Sequence, residues 1–133
     1  MTEQETDTLF ERVGGMPFFT ALVDRFYEGV ASDPVLRPMY PEDLEPGKAH
    51  LALFLAQYWG GPPQYSMERG HPRLRARHAP FPIDRDGAAA WVRHMRAAVR
   101  SSTASAVDRA RLMAYFKRTA EFLINHHEEW GAR

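Results

Sequence analysis

Residues 65–81 read YSMERGHPRLRARHAPF, and at their centre stands a single histidine, His78. A short helix opened by Pro72 puts Leu74 and His78 one turn apart on one face, while Arg73, Arg75 and Arg77 turn toward solvent or an anion. One imidazole on an apolar face, ringed by guanidinium groups, suits an iron porphyrin. The iron takes a neutral nitrogen from inside, and the propionates take cations at the pocket mouth. A lone histidine on a buried face is more often a hydrogen-bonded core residue, so both readings stay open on this stretch alone.

The stretch itself reads as loop with a short helix embedded. Ser66 and Pro72 can start two brief helical pieces, and Pro80 and Pro82 prevent a long continuation. Before it, from about Gly47 to Trp59, Leu51, Phe54, Leu55, Tyr58 and Trp59 have helical spacing; Pro46 and Gly47 weaken the start, and GGPP at 60–63 ends the helix. Further upstream, Pro17 opens a helix whose apolar stripe is Phe19, Leu22, Val23, Phe26, Tyr27 and Val30. Asp33 and Pro34 suit the cap and first residue of a short turn that must stop before Pro41, which leaves Tyr40 at a corner. Thr6 or Asp7 can cap a short helix carrying Leu9, Phe10 and Val13, stopped by Gly14 and Gly15.

After the stretch, Asp84 can cap a helix with Ala88, Trp91, Val92, Met95, Ala98 and Val99 on one face, until SSTAS at 101–105 interrupts it. The last helix begins near Asp108, with Leu112, Met113, Phe116, Ala120, Leu123 and Ile124 inward. No alternating run or hairpin dipeptide marks a strand, and no repeat is visible. The prediction is all-α: one domain over residues 1–133, with 1–5 and 126–133 as flexible extensions.

Lys plus Arg equals Asp plus Glu, 17 each, so nothing draws the whole chain to nucleic acid or an anionic membrane. The absence of cysteine excludes disulfides, thiolate metal sites and cysteine nucleophiles together. MTEQETDTLFER is acidic where an export signal would be basic and then apolar, and the longest uncharged run is broken by glycine and proline, so a soluble cytoplasmic protein is expected.

Glycine-rich phosphate loops, HExxH and GxSxG are all missing. Of the 6 histidines, His126 and His127 are neighbours in a polar tail, His71 precedes Pro72, and His94 sits beside the stripe of its helix as a partly exposed residue. Only His50 and His78 adjoin apolar positions in segments that could face each other. Tyr27, Tyr40 and Trp91 each bring one O–H or N–H donor toward an apolar interior. Each could satisfy itself on a backbone carbonyl. If their side chains converge, they form a dry, donor-lined pocket for a small polarised ligand.

The segments RFYEGV with Tyr27, VLRPMYPED with Tyr40, FLAQYWGGP, YSMERGHPRLRARHAPF with His78 and AWVRHM with Trp91 closely resemble truncated haemoglobins of group II, in order and at the right spacings from about Leu9 to about Asn125. The resemblance implies a two-over-two helical sandwich around haem b, with His78 as the proximal iron ligand. It also implies that Tyr40 and Trp91 donate to the distal ligand while Tyr27 completes the network. The haem-contacting residues it implies are Gly47, His50, Leu51, Phe54, Tyr65, Leu74, Arg75, Arg77, Phe81 and Met95, with Arg77, then Arg75 and Tyr65, at the propionates. Two positions depart from the family pattern. His50 stands where many relatives carry an arginine, and Gly47 stands where classical globins place a gating histidine.

The function so implied is binding of dioxygen, carbon monoxide, nitric oxide or peroxide. Oxygen transport is the role the globin name brings with it, yet donor-stabilised binding slows release and makes a poor carrier. Turnover of nitric oxide or peroxide, as a nitric oxide dioxygenase or peroxidase-like activity, or sensing, fits better. Electrons for such turnover would come from a separate reductase, because the chain has no flavin or nicotinamide motif. The alternatives are a non-haem small-ligand binding module or ligand sensor, and a nucleic-acid contact through RLRAR that zero net charge opposes. Monomer and homodimer are equally compatible with the composition.

Overall fold

In the computed structural model, which describes residues 8–74, 78 and 83–124, the described residues form six α-helices and one 3-10 turn, add helical backbone at Leu74 and His78, and contain no strand. Helix α1, Leu9–Arg12, is held by a reciprocal capping box between Thr8 and Glu11, so the cap is Thr8 and not Thr6 or Asp7. Gly14 and Gly15 then turn the chain at positive φ, 101° and 81°, into α2, Met16–Ser32. Pro17 occupies the first turn, where its missing N–H costs nothing. The expected stripe is all buried, Phe19, Phe26 and Val30 completely, and Phe18 joins it. Burial of each such side chain contributes about 1.5–3 kcal/mol.

The turn Arg37–Met39 is 3-10, and Tyr40 after it is extended at φ −113°, as Pro41 demands. Helix α3, Glu45–Tyr58, starts two residues before the expected Gly47. Pro46 lies in its first turn, where proline favours a helix start and does not weaken it. A brief α4, Gln64–Arg69, follows; Ser66 lies inside it, and its side chain bonds Gln57 of α3 instead of capping. Helix α5, Arg85–Arg100, is capped by Asp84 through the Gly87 N–H at 2.7 Å. Helix α6, Ala106–Leu123, begins ahead of Asp108 because Ser105 takes the cap. Asp108 is thereby released from capping and forms a two-bonded pair with Arg12, at 2.8 and 3.2 Å, which ties α6 to α1.

Helix α2 packs on α3 and α5 packs on α6, while α2 also packs on α5 and so joins the two pairs. One core runs through this sandwich, centred on Phe19, Phe26, Met95, Leu112 and Phe116. No helix among the described residues is long and apolar enough to cross a membrane.

Candidate functional site

A cavity of about 360 Å³ opens where α2, the 3-10 turn, α3, α5 and α6 converge, and its walls are mainly apolar. It gathers Tyr27, Tyr40, Trp91 and His78, together with His50, Leu51, Phe54, Tyr65, Leu74 and Gly47. A larger, more open hollow of about 1090 Å³ adjoins it across Phe54, Leu74, Tyr115 and Thr119, and His71, Arg73, Lys117 and Arg118 stand along that hollow.

The three donors meet because two long helices, α2 and α5, and the turn between α2 and α3 carry them to one place. Tyr27 faces inward from α2, and its ring stands edge-on to Tyr40 at 5.7 Å between centroids. Its hydroxyl fills the space above Gly47, where a Cβ would come within 2.8 Å of it. Gly47 therefore makes room for a donor carried by another helix. Burial pushes the Tyr27 hydroxyl up to about 12. Tyr40 is only partly buried as a residue, yet its hydroxyl is desolvated and titrates far above the ordinary tyrosine value of 10.0. Burial is the main cause and the neighbouring Tyr27 adds to it, while a hydrogen bond with the Trp91 indole acts in the opposite sense. Both phenols thus remain protonated donors at any physiological pH. Trp91 is fixed by edge contacts to Phe26 at 5.3 Å and Phe116 at 5.7 Å.

Leu74 and His78 both have helical backbone, one turn apart. The His78 Nδ1 lies 2.7 Å from the Leu74 carbonyl oxygen. A carbonyl only accepts, so Nδ1 carries the proton and, in the neutral ring, Nε2 carries the lone pair. That is the tautomer a metal ligand needs, with its ring oriented by a backbone acceptor. An apolar cavity, one half-buried imidazole in this tautomer and three protonated donors together make a set that fits haem. His50 approaches Arg69 at 3.4 Å, and Arg69 lies over the Tyr65 ring, its guanidinium 6.0 Å from the centroid. Arg69 is a cation near the cavity that the sequence alone had not singled out.

Met95 is completely buried in the core and is not among the residues that line the cavity. Arg75, Arg77 and Phe81 lie outside the described residues. The α6 wall, with Phe116, Ala120 and Leu123, was visible only as an inward stripe. Leu36 and Met39 of the turn also reach the cavity, and nothing in their spacing marked them. Asp33 and His94 were missed as a pair: their side chains meet at 2.6 Å across 61 residues of sequence.

The family model for bacterial-like globins matches residues 8–125. The chain is 43% identical over 114 residues to the group 2 truncated hemoglobin YjbI of Bacillus subtilis (strain 168), covering 86% of each chain. Among solved structures it is similar to a thermostable hemoglobin of the actinobacterium Thermobifida fusca, at 52% identity and TM-score 0.87, covering 90% of this chain and 98% of that one. It is also similar to a truncated oxygen-avid haemoglobin from Bacillus subtilis, at 41% identity and TM-score 0.85, covering 90% of this chain and all of that one (100%). Fold, cavity and sequence agree, and the chain belongs to the bacterial-like globin family, among the group 2 truncated haemoglobins.

Proposed function

We propose that this protein binds haem b through His78 and holds a diatomic ligand, dioxygen first, by hydrogen bonds from Tyr40 and Trp91, with Tyr27 completing the network. Membership of the family already implies haem and a small gaseous ligand. The observation that carries the finer reading is the convergence on a single cavity of two desolvated phenols, the Trp91 indole and one histidine with its proton on Nδ1. Haem, when bound, supplies the iron at which a diatomic ligand is held and polarised.

The chain's own groups do the rest. His78 offers Nε2 because Leu74 holds the proton on Nδ1. Leu51 and Phe54 of α3 and Phe116 of α6 keep water out. In that low-dielectric space, O–H and N–H groups set in place before the ligand arrives stabilise negative charge developing on it without reorganising. Arg69, beside His50, and Arg73, along the adjoining hollow, are the cations offered to the propionates. The structure of an oxygen-avid relative supports tight dioxygen binding. Tight binding means slow release, which favours sensing or turnover of nitric oxide or peroxide over transport; electrons for turnover would come from a separate reductase.

The test is the optical spectrum of the reduced, haem-supplied protein with and without carbon monoxide, for the parent and for His78→Ala. A Soret band that shifts with carbon monoxide in the parent, and that is lost or altered in His78→Ala, supports the reading. A parent without such a band removes it and leaves an iron-free binding module.

A further inference from the structure

The loop that carries Tyr40 is suspended from the helix that carries Trp91. Asp33, at the C-terminus of α2, is a buried carboxylate that uses both oxygens. Oδ1 accepts the backbone N–H groups of Val35 at 2.7 Å and Leu36 at 3.3 Å. Oδ2 accepts the His94 Nε2–H at 2.6 Å and an Arg93 N–H at 3.4 Å. His94 in turn has its place because residue 29 is glycine: a Cβ there would lie against the His94 ring.

From this anchor the loop runs as one piece into the cavity. The Asp33 carbonyl accepts the Arg37 N–H at 2.8 Å, and Leu36, completely enclosed at 2% exposure, lines the cavity with Met39 and Tyr40. The Arg37 guanidinium then straps the carbonyls of Tyr40, Pro41 and Glu42 at 3.4, 3.0 and 3.0 Å. Trp91 stands on α5 three residues before His94, hence on the next turn of the same face. Asp33 therefore ties the Tyr40 loop to α5, through His94 at 2.6 Å and Arg93 at 3.4 Å, and this tie acts beside the packing of Tyr40 on Tyr27.

We propose that Asp33 and His94 are positioning residues for ligand binding: they hold the Tyr40 loop at the fixed offset from α5 at which the Tyr40 and Trp91 donors act together. This rests on the reading that those two donors face the ligand. Breaking the bridge leaves both donors present but no longer in register, so the bound ligand divides between hydrogen-bonded and non-bonded arrangements.

The test uses the reduced holoprotein with carbon monoxide, read by the C–O stretching band and by the rate of carbon monoxide release. The variants are His94→Leu, His94→Gln, Asp33→Asn and Gly29→Ala, with Tyr40→Phe and Trp91→Phe as references. Expected are a band in His94→Leu and Gly29→Ala broadened toward the Tyr40→Phe position and release faster by roughly threefold or more, tenfold corresponding to 1.4 kcal/mol. His94→Gln keeps an N–H donor and should return most of the parent band, which a loss of general stability would not do. Gly29→Ala keeps both bridge residues and displaces the His94 ring without removing a polar group, and the far-ultraviolet circular dichroism of each variant separates misfolding from loss of register. Parent-like bands and rates in His94→Leu and Gly29→Ala, beside shifted references, overturn the positioning role. Parent-like references overturn the donor reading beneath it.

Discussion

The two sides of the cavity are built by opposite means. The donor side is assembled from distant parts of the chain: Asp33 and His94 are 61 residues apart, and Tyr27, Tyr40 and Trp91 come from α2, a turn and α5. On the His78 side the observed restraint is local, the bond from Nδ1 to the Leu74 carbonyl four residues back. Local geometry can set a tautomer, whereas only long-range packing can set the distance between two donors. The division has a functional sense. Under the proposed function, one side needs only the right nitrogen, and the other needs a fixed spacing before the ligand arrives.

The largest effect should therefore come from the local side. His78→Ala is expected to abolish the carbon-monoxide-sensitive Soret band or reduce haem retention severely, while far-ultraviolet circular dichroism keeps its helical form because the core does not run through His78. Retention of parent haem affinity would place the ligand elsewhere. On the donor side, Tyr40→Phe removes one buried hydroxyl and leaves the ring packed on Tyr27. Ligand release should speed up by about tenfold, the equivalent of one charge-assisted hydrogen bond of about 1.5 kcal/mol, with little change in thermal midpoint.

Two substitutions remote from the cavity sharpen the contrast by touching neither side. Asp108→Asn weakens the pair with Arg12 and should cost about 1–3 kcal/mol by denaturant unfolding at neutral pH, with the carbon monoxide spectrum unchanged. The hydrogen bond from Arg12 is the main reason the Asp108 carboxyl titrates below its ordinary value of 3.8, with burial opposing. Its contribution is present above that value and disappears as pH falls through the lower, folded-state value. The parent's advantage over Asp108→Asn should accordingly shrink as pH falls below 3.8. Thr8→Ala should have the smallest effect, about 1 kcal/mol, because it opens only the capping box of α1.

What could be read in the chain follows the same division. The α2 stripe was legible because a 3.6-residue period and Pro17 both act within one helix. The Leu74–His78 rung was legible for the same reason, being one turn of one segment. Helix starts were misjudged at Pro46 and Ser105, where a residue weighed as a breaker or an interruption acts as a start signal. Gly47 read as a missing histidine, whereas its packing role depends on the Tyr27 hydroxyl, twenty residues earlier in the chain. His94 read as a partly exposed helix residue because no local pattern announces a partner on another element. Met95 occupies an inward position as expected, but inward on α5 means the core at that turn and the cavity one turn earlier, at Trp91.

The most direct measurement of the central claim is the rate of dioxygen release from the reduced protein, parent beside Trp91→Phe and Tyr40→Phe. Slow release in the parent, accelerated by about tenfold in each variant, is the predicted result. Release equally fast in all three would contradict it, and Tyr40 and Trp91 would then be only packing for Tyr27 and Phe26.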